Sequence, residues 1–246
     1  MDKETSCMKA QVDQRRWQDR LVAGIGGPEL SSLRTKVART TALGLIEAGS
    51  EMSRPDVTEN IGNEVDAVGF LLQMAGELGF AAGRLLTIGQ HYAGAALLRQ
   101  VTEIEYLTWN IKEKHRNALA WLKSTHAERM RDFGPAQLRK TSKGRFLDKD
   151  YRDHCEQGGH PTFKGVPLLG GRNKAAAQLL LVDLLTHSWR TWDQVVVWSK
   201  EFPRAARVVS QHSHINWRLH EWGKQDPLYL LMVERYPDLS LTQAKK

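Results

Sequence analysis

Residues 57–86 read VTENIGNEVDAVGFLLQMAGELGFAAGRLL, and the spacing of their apolar positions decides the fold. Val57, Ile61, Val65, Val68, Leu71, Leu72, Ala75, Leu78, Ala82, Leu85 and Leu86 recur mostly three and four residues apart. Such a period lays one apolar stripe along an amphipathic helix. Asp56 and Glu59, just after Pro55, supply a capping signal at its start, and Gly89 marks its end. A second helix follows over about 90–113, with Leu97, Val101, Ile104, Leu107 and Ile111 on one face. Thr125 and Glu128 cap a shorter helix that stops before Gly134 and Pro135, and another helix is predicted over 143–156.

Residues 157–172, QGGHPTFKGVPLLGGR, form the longest irregular segment. Beyond it, Leu179, Leu180, Leu181, Val182, Leu184, Leu185, Trp189, Trp192, Val195, Val196 and Trp198 make a helix over about 173–201 that is apolar almost all round. That pattern predicts the central buried helix, with Pro203 as its stop. Shorter helices over 212–222 and 227–235 close the chain, and two more, over 3–22 and 28–48, precede Pro55. With no alternating strand pattern, the expected fold is all-α: a helical bundle around the 173–201 helix. An N-terminal helical arm occupies 1–55 and the main helical domain 56–246.

Composition narrows the function classes. At 41% hydrophobic and 26% charged residues, the 246-residue chain excludes wholesale disorder. The densest apolar run, Leu179 to Leu185, is broken by Asp183, so no bilayer span is expected. Two cysteines, Cys7 and Cys155, make no disulfide framework, which points to a cytoplasmic protein. A net charge of +7 favours a polyanionic partner, nucleic acid above all.

The standard phosphate, metal and nucleophile signatures are absent. Gly24-x-Gly26-Gly27 follows no strand, no Walker lysine follows a glycine loop, and there is no CxxC, HExxH or GxSxG. Arg99, Glu103, Tyr106 and Asn110 share a narrow arc of one helix, either a solvated face with an i,i+4 ion pair or the polar wall of a cleft. His160 lies between Gly158-Gly159 and Pro161, which fit a sharp, fixed turn, and its imidazole suits acid/base work at neutral pH. His154, Cys155, Glu156 and His160 match no common zinc module, even with His212 and His214 added, so neither metal nor cofactor is expected. Asp183 and His187 read as a mutually satisfied polar pair in a helical core. Arg129, Arg131, Arg139, Lys140, Lys143 and Arg145 cluster ahead of the His160 turn, with Phe133 and Phe146 between them. This suits phosphate contact by the cations and base stacking by the aromatics.

Ala95-Ala96-Leu97-Leu98-Arg99-x3-Glu103, followed by Tyr151-Arg152-Asp153 and Gly159-His160-Pro161, resembles uncharacterised bacterial HEPN-like helical proteins over about residues 60–200. Active HEPN ribonucleases carry Arg-x4–6-His and act on the scissile phosphate without metal, often across a dimer. In Arg152-Asp153…His160 seven residues intervene, whereas Arg84…His91, Arg207…His212 and Arg207…His214 have the family spacing without a polar second residue. The resemblance implies a metal-independent ribonuclease of toxin or phage-defence type. His160 would be its acid/base, Arg152 its phosphate clamp, and Arg99 with Glu103 an orienting pair. His160, Arg152 and Glu103 are expected to converge on one cleft, with Arg139, Lys140, Lys143 and Arg145 holding RNA. A non-catalytic helical adaptor for nucleic acid or a protein partner, or a homodimer, fits the same residues.

Overall fold

The computed structural model describes residues 3–54, 63–171 and 173–235, and for 3–12 and 14 the backbone alone. Among the described residues there are twelve α-helices and no strand. In chain order they are α1 (Lys3–Ile25), α2 (Pro28–Met52), α3 (Glu64–Thr87), α4 (His91–Lys112), α5 (Ala118–Leu122), α6 (His126–Asp132), α7 (Pro135–Thr141), α8 (Asp148–His154), α9 (Lys174–Ser199), α10 (Pro203–Gln211), α11 (His214–Gln225) and α12 (Pro227–Arg235). The long helices α2, α3, α4 and α9 pack on one another, and α1, α10, α11 and α12 also meet α9. The all-α bundle around the 173–201 helix is the observed fold.

Local chemistry sets the helix ends. Thr125 and Glu128 form a reciprocal capping box at α6, as the spacing predicts, whereas α3 starts later than the expected Val57, because Asn63, in extended backbone, and Asp66 form a capping box there. The capping signal expected at Asp56 and Glu59 lies outside the described residues. Prolines open α2, α7 and α10, where the missing N–H costs nothing. Pro203 therefore ends α9 and begins α10, a helix that reading the proline only as a stop misses. The helix expected from 143 begins instead at Asp148: Lys143 and Gly144 both have positive φ, 52° and 98°, and so reverse the chain first. The segment expected to be irregular is also ordered, as a π-turn over Cys155–Gly159 and 3-10 turns over Phe163–Gly171.

Helix α3 is long and apolar enough by composition to cross a membrane, yet half of its residues, including most of its apolar stripe, are buried inside the bundle. Glycines let α2 approach it closely. A methyl group on Gly76 would stand 2.6 Å from the Ala42 carbonyl oxygen and 2.8 Å from the Ile46 nitrogen, both backbone atoms that cannot swing aside. Gly83, also on α3, has nothing nearer than 3.9 Å. Gly76→Ala is expected to cost about 1–3 kcal/mol of stability through overpacking. Gly83→Ala should gain up to about 1 kcal/mol through helix propensity. Urea unfolding of the two variants checks both signs.

Candidate functional site

The turn of α4 that carries Arg99 and Glu103 faces α8 and the π-turn. Arg99 Nη1 donates to Glu103 Oε1 at 2.9 Å, as the i,i+4 spacing predicts, and also to the Tyr151 hydroxyl at 3.2 Å. Tyr151 in turn donates to the same Glu103 oxygen at 2.7 Å. Burial and then the Glu103 carboxylate push the Tyr151 pKa up, so its proton stays in this bond through the ordinary pH range. Arg99 and Glu103 are about a quarter exposed, 25% and 27%, so the node borders solvent.

The glycine turn is seated on the same helix. A methyl on Gly158 would fall 2.4 Å from the Ala96 nitrogen, and one on Gly159 would fall 2.5 Å from Arg99 Cδ. Only a chain without Cβ atoms can lie this close to α4. His160 follows at once, and three hydrogen bonds fix its backbone. Its N–H donates to the Cys155 carbonyl at 2.8 Å, while its own carbonyl accepts from Thr162 N–H at 2.9 Å and from the Tyr92 hydroxyl at 3.2 Å. The expectation of a held histidine rests on these bonds.

Arg99, Glu103 and Tyr151 are thus brought together, and Arg152 and His160 are the chain neighbours of two groups that touch Arg99. Both are exposed, and neither side chain makes a hydrogen bond or ion pair with the described residues. The rest of the expected polar wall is elsewhere. Tyr106 and Asn110 are buried, at 1% and 2% exposure, and Phe146 stacks on the Tyr106 ring at 3.9 Å.

Phe133 and Phe146, expected to stack on bases, are both buried. Phe146 joins Tyr106, Trp109 and Leu138 in a small second core, so burial of apolar rings overrides a surface role. Among the expected nucleic-acid cations, Arg139 is engaged. Its Nε donates to Asp148 at 2.7 Å, and its guanidinium lies 4.1 Å from the centre of the Tyr151 ring. Arg129 is tied to the Ser124 carbonyl and Arg131 to Asp132. Lys140, Lys143 and Arg145 stay exposed, without an ion pair to the described residues. Arg145 lies 5.9 Å from the Phe146 ring centre.

Sequence reasoning missed a second constellation behind the first. Asp183 and His187 pair as expected, but not with each other alone. His187 Nδ1 donates to Glu105 Oε2 at 2.5 Å, and its Nε2 stands 3.3 Å from Asp183 Oδ1. His154, from the end of α8, brings its Nε2 to 3.6 Å from Asp183 Oδ2 and 3.9 Å from Asp150 Oδ1. Arg190 lies 3.6 Å from the other oxygen of Glu105. Burial opposes charge on His187, but Asp183 and Glu105 outweigh it and raise its pKa to about 10. Against the desolvation of Asp183, His154 and His187 bring that carboxyl down to about 2. The signal was in the sequence as two Asp-x3-His pairs, 150/154 and 183/187. By contrast, His212 and His214, considered as partners for His154, sit together on another face, where His212 pairs with Glu51 at 3.2 Å. Comparison with protein-family models, with curated proteins and with solved structures finds no match to this chain, so the site is read from its own geometry.

Proposed function

We propose that the chain is a metal-independent endoribonuclease whose reacting groups are His160 and Arg152. One observation carries the reading. The Arg99 side chain touches both the Tyr151 hydroxyl and Gly159, and these are the chain neighbours of Arg152 and His160. A sequence separation longer than the family motif is thereby anchored on a single guanidinium. In the reaction, His160 takes the proton of a ribose 2′-hydroxyl and that oxygen attacks the adjoining phosphorus. The 5′-oxygen leaves with a proton from solvent, giving a 2′,3′-cyclic phosphate and a 5′-hydroxyl. Arg152 holds the charge that develops on the phosphoryl oxygens, and the Arg99–Glu103–Tyr151 node positions both groups. Lys140, Lys143 and Arg145 supply sequence-independent contacts to flanking phosphates.

The test is incubation with total RNA in EDTA, which silences metal-dependent contaminants. Wild-type protein is expected to yield cyclic-phosphate ends, and His160→Ala to lower the rate by about 10²–10⁴-fold, the usual share of acid–base catalysis. RNA bound and left intact by the wild type would reject catalysis and leave the adaptor role. Replacing Lys140, Lys143 and Arg145 together with glutamine should flatten the log-affinity against log-salt slope by about two to three units, at roughly 0.7–0.9 per phosphate contact. An unchanged slope would move the RNA surface elsewhere.

A further inference from the structure

Two Asp-x3-His pairs face each other where the end of α8 meets the middle of α9. The donor atoms of Asp150, His154 and His187 all lie within 4.8 Å of one another. Asp183 reaches both imidazoles, at 3.3 Å from His187 Nε2 and 3.6 Å from His154 Nε2. Ligands of one tetrahedral ion with bonds of about 2.0–2.1 Å stand roughly 3.3–3.4 Å apart. The 3.6 and 3.9 Å contacts of His154 are therefore too long for hydrogen bonds, yet close to the edges of a coordination shell.

Two more features point to a ligand. His154 is only 6% exposed, and its Nε2, aimed between the Asp150 and Asp183 carboxylates, makes no hydrogen bond. Buried nitrogens are rarely left so unless something else satisfies them. His187 already donates a hydrogen bond from Nδ1–H to Glu105, the carboxylate–imidazole arrangement that fixes the orientation of a metal-ligating histidine and directs Nε2 at the ion.

We propose that Asp150, His154 and His187, with Asp183 as fourth ligand, form a binding site for one divalent first-row transition ion. Paired imidazole and carboxylate donors suit ions of the zinc and cobalt type better than magnesium or calcium. On binding, the Nε2 proton of His187 passes to solvent, and the ion takes over its charge beside the three carboxylates. Two donors come from α8 and two from α9, so the ion clamps the short helix carrying Tyr151 to the bundle.

The test uses untagged full-length protein, stripped with EDTA, dialysed and titrated with cobalt chloride. Expected are a visible d–d absorption band that saturates at one ion per chain, its loss on adding zinc chloride, and a melting temperature raised by zinc. Asp150→Asn changes a half-exposed side chain at a helix end and leaves the fold intact, yet it should weaken cobalt binding at least 10-fold. His154→Gln should do the same, with circular dichroism reporting its helix content. Exposed His126→Gln should titrate like wild type. A wild-type chain with no saturable band, or an Asp150→Asn chain that binds as wild type does, overturns the proposal. No RNA is present, so this result stands apart from that of the cleavage assay.

Discussion

Asp226→Ala is expected to cost roughly 3–5 kcal/mol of stability, because it strands a fully buried guanidinium. Arg34 and Asp226 both have side chains at 0% exposure and pair through two bonds, Nε to Oδ2 at 2.6 Å and Nη2 to Oδ1 at 2.8 Å. The remaining donors of Arg34 reach the carbonyls of Gly24 and Ile25 at the end of α1, at 2.8 and 2.7 Å, and Gln178 of α9 at 3.0 Å. Asp226 in turn accepts from Trp222 Nε1 and from the Leu228 and Tyr229 amides that open α12. One ion pair thus joins α1, α2, α9, α11 and α12. Alanine also removes the α12 cap, worth about 0.5–2 kcal/mol, within the same loss. In a domain of this size the melting temperature should fall by about 6–20 °C. Arg34→Met combined with Asp226→Leu should recover part of the loss by removing the unpaired charge, although the Gly24 and Ile25 carbonyls stay unsatisfied. Urea unfolding of the single and double variants checks the ranking. A double variant less stable than Asp226→Ala alone would mean the cost is not that of a stranded charge.

No sequence pattern marks that pair, since its members lie 192 residues apart. What the sequence shows well is period and punctuation. The apolar stripe from Val65 to Leu86 and the all-round apolar face of 179–198 dictate long helices that can be buried only against each other. The Thr125–Glu128 cap was legible because a capping box is a local contact. Which side chains of the short turns between helices face inward is a tertiary question, and there the reading failed. Phe133 and Phe146 alternate with arginines in a way that fits a stacking surface and a small core equally well. The Arg99–Glu103 bond was legible from its spacing, whereas the Tyr151 hydroxyl that completes it comes from 48 residues away. The two Asp-x3-His pairs had the same fate: each is visible alone, but only the α8–α9 contact turns them into one donor set.

Gly158→Ala should lower RNA cleavage by about 100-fold or more while moving the melting temperature little. The added methyl would meet Ala96 N at 2.4 Å, Ala95 C at 2.5 Å and Ala95 Cβ at 2.9 Å. Two of these are backbone atoms inside the hydrogen-bonded ladder of α4, so the turn must lift instead of the helix. A lift of about 1 Å suffices to cost 100-fold when reacting groups are held by position. The Tyr92 hydroxyl would lose the His160 carbonyl, now 3.2 Å away, and Gly159 would leave Arg99. The turn packs chiefly on α4, α8 and the 3-10 turns, so the contacts of α2, α3 and α9 with one another are largely spared. Hydrogen exchange separates placement from folding: the His160 and Thr162 amides, bonded to Cys155 and His160 carbonyls, should exchange faster, and core amides of α9 should not. Gly159→Ala should be milder, because the atom it meets belongs to the flexible Arg99 side chain, which can swing away at the expense of its Glu103 and Tyr151 bonds. If Gly158→Ala cleaves like the wild type while those two amides exchange faster, then the position of His160 does not govern the chemistry, and the assignment of His160 as acid/base falls with it.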